Sequence, residues 1–466
     1  ANIDLLGEDG TFAVITGQQA GLLTGPLLTV YKAITAIQLA ERLNRKDERH
    51  FVPVFWVVSD DHDFDEVNHL FLVNRKNELV RLVYQPGDEF ERWPVGRIPV
   101  DEDFDLFFDR FAEDTPNTEF KESVLRTVRA AYVEGWNFAE GFARLMTSMF
   151  RDYGLVLVDP MDPDLVELAV PIFEREIEDP ASSTSLVLQT GDRLKERGYH
   201  RQIKVRPGHL NLFLEIDRRR CSVSVDGDAF RTEGKSYTGE GFLAMLKSSP
   251  DRFSPNVVLR PVVRSHLLPT AAYIGGPGEI SYFAQLKEVF ETFAVSPPVV
   301  YPRARVTVVE GKVRRILDRY AIPPAELYED ADGVVRSIVE SSLPETFRTA
   351  FQEAEGDIER LFRRIRKAVV PIDGSLESLV IRSQNRLAHD IAKIEKKAIQ
   401  AKKRSEEVIV QQIHKVRTNL FPNGALQERV LNIVPFLILY GPGLIGQLFD
   451  AVDGDTGRHQ MIDIGT

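Results

Sequence analysis

Acidic and imidazole side chains crowd one short stretch, directly after the apolar run Val52–Val58. Between positions 60 and 69 the sequence DDHDFDEVNH holds five carboxylates and two histidines. Crowded carboxylates repel one another, so that one can hold a raised pKa and act as an acid or base, and histidine titrates near neutrality. A solvated helix start, rich in N-capping acids, is the alternative interpretation, which we favour for Asp65. The predicted catalytic residues are Asp61, His62 and Asp63, and Asn68 is a predicted binding residue.

A glycine-rich turn follows the apolar run Phe12–Ile15, within the sequence TGQQAGLLTGPLLTVYK. Such a turn lets backbone N–H groups approach an anion, and Pro26 suits the start of a helix whose dipole favours the same ligand. The glycine spacing matches neither the dinucleotide fingerprint nor a P-loop, and a structural strand–turn–helix connection is the alternative. The predicted binding residues in this segment are Gly17, Gln18, Gln19, Gly21, Thr24, Gly25 and Lys32.

A third segment, LPTAAYIGGPGEISYFAQLKEVF, repeats this order of elements. Its sequence predicts a strand at Thr270–Ile274, a tight turn and a helix from Glu279 onward. Alternatively, Glu279 caps the helix dipole and Tyr282 packs in the core. The predicted binding residues are Gly276, Pro277, Gly278, Glu279 and Tyr282, together with Arg264 in the preceding RPVVRSHLLPT.

Strands and helices alternate along the first two thirds of the chain, which predicts an α/β fold with a parallel sheet. Its core would comprise residues 11–70, 120–178 and 255–302. In such sheets ligands bind at the carboxyl ends of the strands. We therefore expect the three segments to converge on one cleft.

A long helix is predicted from Ser375 to Asn419, and Arg360–Val370 is expected to pair back along it. Apolar or small residues recur at alternating four- and three-residue steps, which is the seam of a coiled coil. A seam on one isolated helix would leave apolar surface exposed, so we expect a homodimer through this arm. The predicted seam residues are Leu387, Ile391, Ile394, Ala398 and Ala401.

These motifs carry a resemblance to a known family. TGQQAGLLTGP, DDHDFDEVNH, AAYIGGPGEISYFAQL, RPVVRSHLLPT and LQERVLNIVPFLILYGP resemble segments of the bacillithiol biosynthesis cysteine-adding enzymes (BshC), in order over nearly the whole chain. The resemblance implies a cytoplasmic bacterial ligase that adds L-cysteine to the amine of glucosaminyl-malate. Two departures accompany it: a further N-terminal family segment is expected before Ala1, and Asp60 stands where relatives are expected to have Glu.

The resemblance also implies a fold similar to class I aminoacyl-tRNA synthetases: a Rossmann-like core with two connecting inserts and an appended coiled coil. The first insert should contain an antiparallel pair, Glu78–Gln85 with Trp93–Val100, and the second should contain strands in QIKV, LNLFLEID and RCSVSVDG. The expected domains are a core at 1–73, 118–189 and 255–305, inserts at 74–117 and 190–254, a helical arm at 306–419, and a segment at 420–466 that packs back on the core.

Composition narrows the function classes. The chain has 466 residues, 43% hydrophobic and 27% charged, which is typical of a globular protein. A net charge of −12 argues against nucleic-acid binding, and no apolar run reaches membrane-spanning length. The single cysteine, Cys221, excludes an internal disulfide and suits a reducing cytoplasm. We expect small-molecule substrates and neither nucleic acid nor a membrane as partner.

Amide formation from a free carboxylate requires activation, for which ATP is the usual source. The turn at residues 17–25 would then hold phosphates, with Lys32, Arg264 or Arg303 neutralising charge, while the acidic block deprotonates the amine. The synthetase signatures His-Ile-Gly-His and Lys-Met-Ser-Lys-Ser are absent, so ATP use is a hypothesis without a motif.

Two other function classes stay open. A metal-dependent hydrolase or transferase could use Asp61, His62, Asp63 and His69, whose side chains suit Zn²⁺ or Mn²⁺. Adjacent residues on one short segment rarely all reach one ion, so no metal site is predicted. A non-enzymatic coiled-coil scaffold is the third class, and it leaves the polar loops at three strand ends unexplained.

Overall fold

The computed structural model of the protein describes residues 1–341, 343–405, 407–454 and 457–465. Contacts divide the chain into two compact units. The first comprises Ala1–Val308 with Ala425–Ile462, and the second comprises Val309–Gly424 with the residues from Asp463 onward. The first unit is mixed α/β and the second is mainly helical.

The strands are bounded as follows. They are β1 (Thr11–Gln19), β2 (His50–Val58), β3 (His69–Val73), β4 (Leu79–Val83), β5 (Val156–Val158), β6 (His209–Ile216), β7 (Arg219–Asp226), β8 (Ala229–Thr232), β9 (Lys235–Thr238), β10 (Phe253–Pro255), β11 (Thr270–Gly275), β12 (Val299–Pro302), β13 (Arg305–Glu310) and β14 (His459–Ile464).

The α-helices are bounded as follows. They are α1 (Asn2–Leu5), α2 (Leu28–Asn44), α3 (Asp103–Asp114), α4 (Lys121–Ala131), α5 (Phe138–Phe150), α6 (Pro163–Glu178), α7 (Ser182–Glu196), α8 (Gly239–Ser248), α9 (Arg260–Leu267), α10 (Pro277–Phe283), α11 (Lys287–Thr292), α12 (Gly311–Tyr320), α13 (Pro324–Glu329), α14 (Ala331–Ser341), α15 (Glu345–Val369), α16 (Glu377–Ser405), α17 (Glu407–Leu420), α18 (Val434–Tyr440) and α19 (Leu444–Ala451).

A five-stranded sheet lies at the centre of the first unit, in the order β12-β11-β1-β2-β5. Every neighbouring pair in it is parallel. β1 and β2 are almost entirely buried, as their continuous apolar sequences require of strands covered on both faces. The prediction of a parallel α/β core is therefore confirmed.

Strand register places the carboxyl ends of four strands at one edge of this sheet. Gly17 lies beside Trp56 and Thr16 beside Ile274, while Gly275 lies beside Pro302. A side chain at position 17 could not be accommodated, because its Cβ would lie 2.9 Å from the Trp56 carbonyl oxygen. The polar loops that follow β1, β2 and β11 thus begin from a common edge.

A second sheet is antiparallel, in the order β10-β6-β7-β8-β9. It contains two of the strands predicted for the second insert, but the QIKV segment forms no strand. The strand pair predicted for the first insert is wrong. β4 pairs instead with β3, with Leu82 opposite Leu70, and Trp93–Val100 contains a short 3-10 turn and one isolated bridge, from Pro99 to Asn137. The Asn74 side chain stabilises the connecting turn by accepting hydrogen bonds from the backbone N–H groups of Lys76 and Glu78.

In the second unit, α15 and α16 pack along each other as a helical hairpin. The single helix predicted from Ser375 to Asn419 appears as α16 and α17, with position 406 outside the described residues. Ile391 lies in the groove between α15 and α16. Two other predicted seam residues lie outside that groove: Leu387 is 39% exposed and Ile394 is 56% exposed.

Within the described ranges, no helix is by itself long and apolar enough to cross a membrane. α18 and α19, which are bent by 104° relative to each other, meet that test only when they are taken together.

Candidate active site

A cleft of about 350 Å³ opens at the carboxyl ends of the strands of the central sheet. Five cationic side chains line it but only two carboxylates, so an anion is the ligand class that its charge favours. Many of the predicted site residues line this cleft: Gly17, Gln18, Gln19, Lys32, Asp61, Arg264, Gly276, Pro277, Gly278, Glu279 and Tyr282.

An ion pair lies in the floor of the cleft. The Lys32 Nζ, on α2, lies 2.5 Å from the Glu279 Oε2 and also donates to the Gly17 carbonyl at 2.7 Å. The Tyr273 hydroxyl and the Gly276 backbone N–H donate to the same carboxylate. Burial opposes ionisation of Glu279, but Lys32 and Gly276 outweigh it and hold the Glu279 pKa below its usual value. This network connects the loops after β1 and β11.

Arg264, on α9, presents to the cleft a guanidinium that has no counter-ion among the described residues. The residue is only 3% exposed, and its guanidinium carbon lies 4.2 Å from the centroid of the Tyr273 ring. Among the described residues, none accepts a hydrogen bond from its side chain and no carboxylate lies within 4 Å. A buried cation that faces a cavity without a partner favours an anionic ligand, since leaving it unpaired is costly.

The start of the acidic block is held by two arginines. The Arg260 Nη2 lies 3.2 Å from the Asp60 Oδ2, and the Arg220 Nη1 lies 3.5 Å from the Asp61 Oδ1. Burial opposes ionisation of Asp61, but Arg260 and Arg220 more than compensate and lower its pKa. Because Asp61 is ionised and already paired with arginines, it is a poor proton acceptor.

The rest of the block lines a neighbouring cavity of about 590 Å³, so the predicted convergence on one cleft covers only part of the set. His62, Asp63 and Asn68 lie there with Asp65. Gln19, in the wall of the first cleft, donates from its side-chain amide to both Asp61 and Glu66. His69 lines a third, smaller cavity, apart from the other members of the proposed metal set.

Three of the predicted binding residues, Gly21, Thr24 and Gly25, maintain the backbone conformation of the glycine-rich turn. A Cβ at Gly21 would lie 2.7 Å from the Cα of Gly25, and Thr24 is buried with a φ of 78°. The Asn432 side chain closes the turn by donating to the carbonyls of Leu23 and Gly25, at 2.8 and 2.7 Å. Backbone N–H groups here are taken as well, since Leu22 and Gly25 donate to protein carbonyls. The turn therefore offers an anion fewer donors than its sequence suggests.

Sequence reasoning missed Asp60, Arg220, Arg260 and Asn432 as members of the site. Arg220 adjoins Cys221, which drew attention as the single cysteine, and Arg260 opens the RPVVRSHLLPT motif. Cys221 itself is buried, and burial raises the pKa of its thiol, which agrees with a packed side chain rather than a nucleophile.

The donor geometry does not favour the metal-dependent alternative. Among the described residues, no group of three or more His, Cys, Asp or Glu side chains is placed to hold one ion. Asp61 is occupied by arginines, and the Arg220 guanidinium lies 3.3 Å from the Nδ1 of His62.

Two family models match the chain end to end. One is described as "Bacillithiol biosynthesis BshC, N-terminal Rossmann-like domain" and matches residues 1–304. The other is described as "Bacillithiol biosynthesis BshC, C-terminal coiled-coil domain" and matches residues 306–464. This chain belongs to the BshC family. The Rossmann-like core and the coiled coil that the resemblance implied are thereby confirmed.

Individual relatives agree with this membership. A BshC protein of Salinibacter ruber, named "Putative cysteine ligase BshC", is 38% identical over 100% of this chain and 85% of its own length. A relative of the same name from Symbiobacterium thermophilum is 36% identical over 99% of this chain and 85% of its own length. A solved structure titled "Crystal structure of putative arginyl t-RNA synthetase from Campylobacter jejuni" covers 93% of this chain and 92% of that one. Its identity is 12% and its TM-score 0.25, a likeness too small to support an argument.

Proposed function

We propose that this chain is a ligase that joins the carboxyl group of L-cysteine to the amine of glucosaminyl-malate, in the last step of bacillithiol synthesis. Membership of the BshC family over both domains supports the proposal, as do relatives that bear the name of a cysteine ligase. Both substrates carry carboxylates. The observation that carries the proposal is the buried, unpaired Arg264 guanidinium in a cleft rich in cations. A thiol substrate suits a reducing cytoplasm, where we place the protein.

The reaction forms one C–N bond and breaks one C–O bond at the cysteine carboxyl. The amine nitrogen attacks the carboxyl carbon, an oxygen leaves with its activating group, and the amine gives up a proton. ATP, as a co-substrate, would supply the activation by making that oxygen a good leaving group. Arg264 is the residue that would chiefly compensate its phosphate charge. Lys32 and Arg303 also line the cleft, but they are paired with Glu279 and Glu428.

The amine proton needs an acceptor, and the two predicted catalytic carboxylates, Asp61 and Asp63, differ in whether they are already paired. Asp61 is ion-paired with Arg220 and Arg260. Asp63 is exposed and, among the described residues, no side chain or backbone group bonds to its carboxylate. We therefore assign Asp63 the role of general base, at the border of the second cavity.

An in vitro assay tests this function. The purified chain is incubated with L-cysteine and glucosaminyl-malate, with and without ATP, and the product is identified by mass spectrometry. The expected product has the summed mass of the two substrates less one water, and its formation should depend on ATP with release of AMP or ADP. Serine in place of cysteine is the specificity control. Absence of the condensed product under every condition would refute the ligase assignment.

We also propose that two chains associate through their helical arms. α15 and α16 expose several large apolar side chains, which a second arm could cover. They are Leu361, Ile365, Leu379, Ile381, Leu387 and Ile394. Light scattering on the intact protein should give the mass of a dimer.

A further inference from the structure

The groups around His62 determine which of its two ring nitrogens carries the proton. The Arg220 Nη1 lies 3.3 Å from the His62 Nδ1, within hydrogen-bond distance. The nearest carboxylate oxygen, the Oδ1 of Asp61, lies 3.6 Å from the same nitrogen, which is too far for a hydrogen bond. A guanidinium can only donate, so the Nδ1 of His62 has to accept. In a neutral imidazole the proton then resides on Nε2.

The guanidinium of Arg220 is itself firmly held. Its Nε donates to the Ser254 hydroxyl at 2.9 Å and its Nη2 donates to the Pro255 carbonyl at 2.8 Å. Its guanidinium carbon lies 3.9 Å from the centroid of the Phe213 ring, and its side chain is 3% exposed. These contacts come from the antiparallel sheet of β6, β7 and β10, so that sheet fixes the direction from which a donor reaches His62.

Neutral imidazole is the favoured form at this position. Burial and the neighbouring Arg220 charge lower the pKa of His62, although Asp61 and Asp63 oppose the shift. The Nε2 of His62 has no hydrogen-bond partner among the described residues, and the residue lines the cavity that it shares with Asp63. An N–H donor without a partner thus remains available at that cavity.

We propose that Arg220 is a positioning residue that locks His62 in the Nε2–H tautomer, so that His62 donates a hydrogen bond to a substrate oxygen instead of accepting a proton. The role in substrate binding rests on the ligase function proposed above, whereas the tautomer does not. The proposal removes His62 from the three candidates for the general base. It leaves proton transfer to a carboxylate.

Magic-angle-spinning NMR on the full chain, labelled with ¹⁵N-histidine, tests the tautomer directly. The chain has nine histidines, so the His62 signals are assigned as those lost in His62→Gln. At neutral pH the protonated nitrogen should be Nε2. In Arg220→Lys the Nδ1–H form should appear, while Arg252→Lys, a control that loses hydrogen bonds to the Glu215 backbone, should leave the spectrum unchanged. An Nδ1–H or doubly protonated His62 in the parent would overturn the proposal, as would an unchanged tautomer in Arg220→Lys.

Two substitutions of His62 test its role while Arg220 keeps its hydrogen bonds to Ser254 and Pro255. The amide nitrogen of glutamine can occupy the place of Nε2 and donate, but it cannot take up a proton. His62→Gln should therefore keep kcat/KM within about tenfold of the parent, and His62→Ala should fall below it, because a hydrogen bond is lost. A general base would instead make both variants drop together by about 10² to 10⁴, which would overturn the donor role. An inactive parent would refute the ligase function alone, since the NMR result stands independently.

Discussion

The Nζ of Lys32 lies 2.5 Å from the Oε2 of Glu279, and both groups are largely withdrawn from solvent. The pair joins α2, which follows the first strand, to α10, which follows the third strand of the site. Each charge is expensive to bury and becomes tolerable only in the presence of the other. The two loops that flank the cleft are therefore held together by electrostatics.

Lys32→Met should destabilise the first unit by about 3 to 5 kcal/mol, because it leaves the Glu279 carboxylate buried without its cation. The three tryptophans at positions 56, 93 and 136 all lie in that unit, so their fluorescence during urea unfolding reports on it alone. The double variant Lys32→Met/Glu279→Gln should regain much of the loss. Lys287→Met, at a pair that is 77% and 58% exposed, serves as control and should change little. Equal stability of Lys32→Met and the parent would contradict the prediction.

Arg264→Met should lower kcat/KM by about 10- to 100-fold, because a charge-assisted hydrogen bond to a substrate anion is lost. Its free energy of unfolding should not decrease, since no protein group is left without a partner. Arg264→Lys should recover part of the activity. Arg193→Met, which removes an exposed arginine paired with Glu288, is the matched control. Unaltered steady-state kinetics in Arg264→Met would exclude Arg264 from substrate binding.

Asp63→Asn should reduce kcat by about 10² to 10⁴ with little effect on KM, as removal of a general base does. Asp65→Asn is the matched control from the same turn, where the Asp65 carboxylate accepts a hydrogen bond from Asn68. The control should stay close to the parent. Were the two variants equally active, Asp63 would not be the base.

Glu176 makes stability depend on pH. Burial raises its pKa from 4.5 to about 7, although Ser183 and Asn211 donate hydrogen bonds to it. Because the folded-state pKa lies above the unfolded one, its stabilising contribution is complete below about pH 4.5 and is lost as the pH rises to about 7. Glu176→Gln should remove this decline, which amounts to about 3 kcal/mol at most. Urea unfolding of both proteins between pH 4.5 and 8 measures it, and parallel curves would count against the assignment.

Leu387→Glu combined with Ile394→Glu should convert the proposed dimer into a monomer, because charges on the covered face would be buried without partners. Light scattering at micromolar concentration measures the mass. Leu168→Glu, at an exposed leucine of α6 in the other unit, should leave the mass unchanged. A dimer that persists in the double variant would place the interface elsewhere.

The sequence predicted the central sheet well because its strands are short, continuous apolar runs. β1, β2 and β11 begin and end within a few residues of the expected positions. The partner of β4 was predicted wrongly. One plausible strand ends at Val73 and another begins at Trp93, and the sequence does not indicate which of them pairs with β4. Long-range partners decide such cases.

The dependence on long-range contacts also limited the prediction of the candidate site. Residue types and strand ends indicated Lys32, Glu279 and Asp61, but not Arg220 and Arg260, which pair with Asp61. Arg220 is 158 residues away in sequence from His62, and its contact with the imidazole comes only from the folding of an insert. A local pattern could therefore draw attention to the acidic block, but it could not indicate which member accepts a proton.

The contact of Asn432 with the glycine-rich turn joins two parts of the chain that are synthesised at different times. The carbonyls of Leu23 and Gly25 are made well before the amide that bonds them, which lies 409 and 407 residues later in the chain. A ribosome-bound chain that has not yet released residue 432 thus contains the first strand and its turn but not the donor that closes the turn. The glycine-rich turn can therefore mature only after residue 432 has left the ribosome, so nascent chains that stop short of it should lack a closed turn.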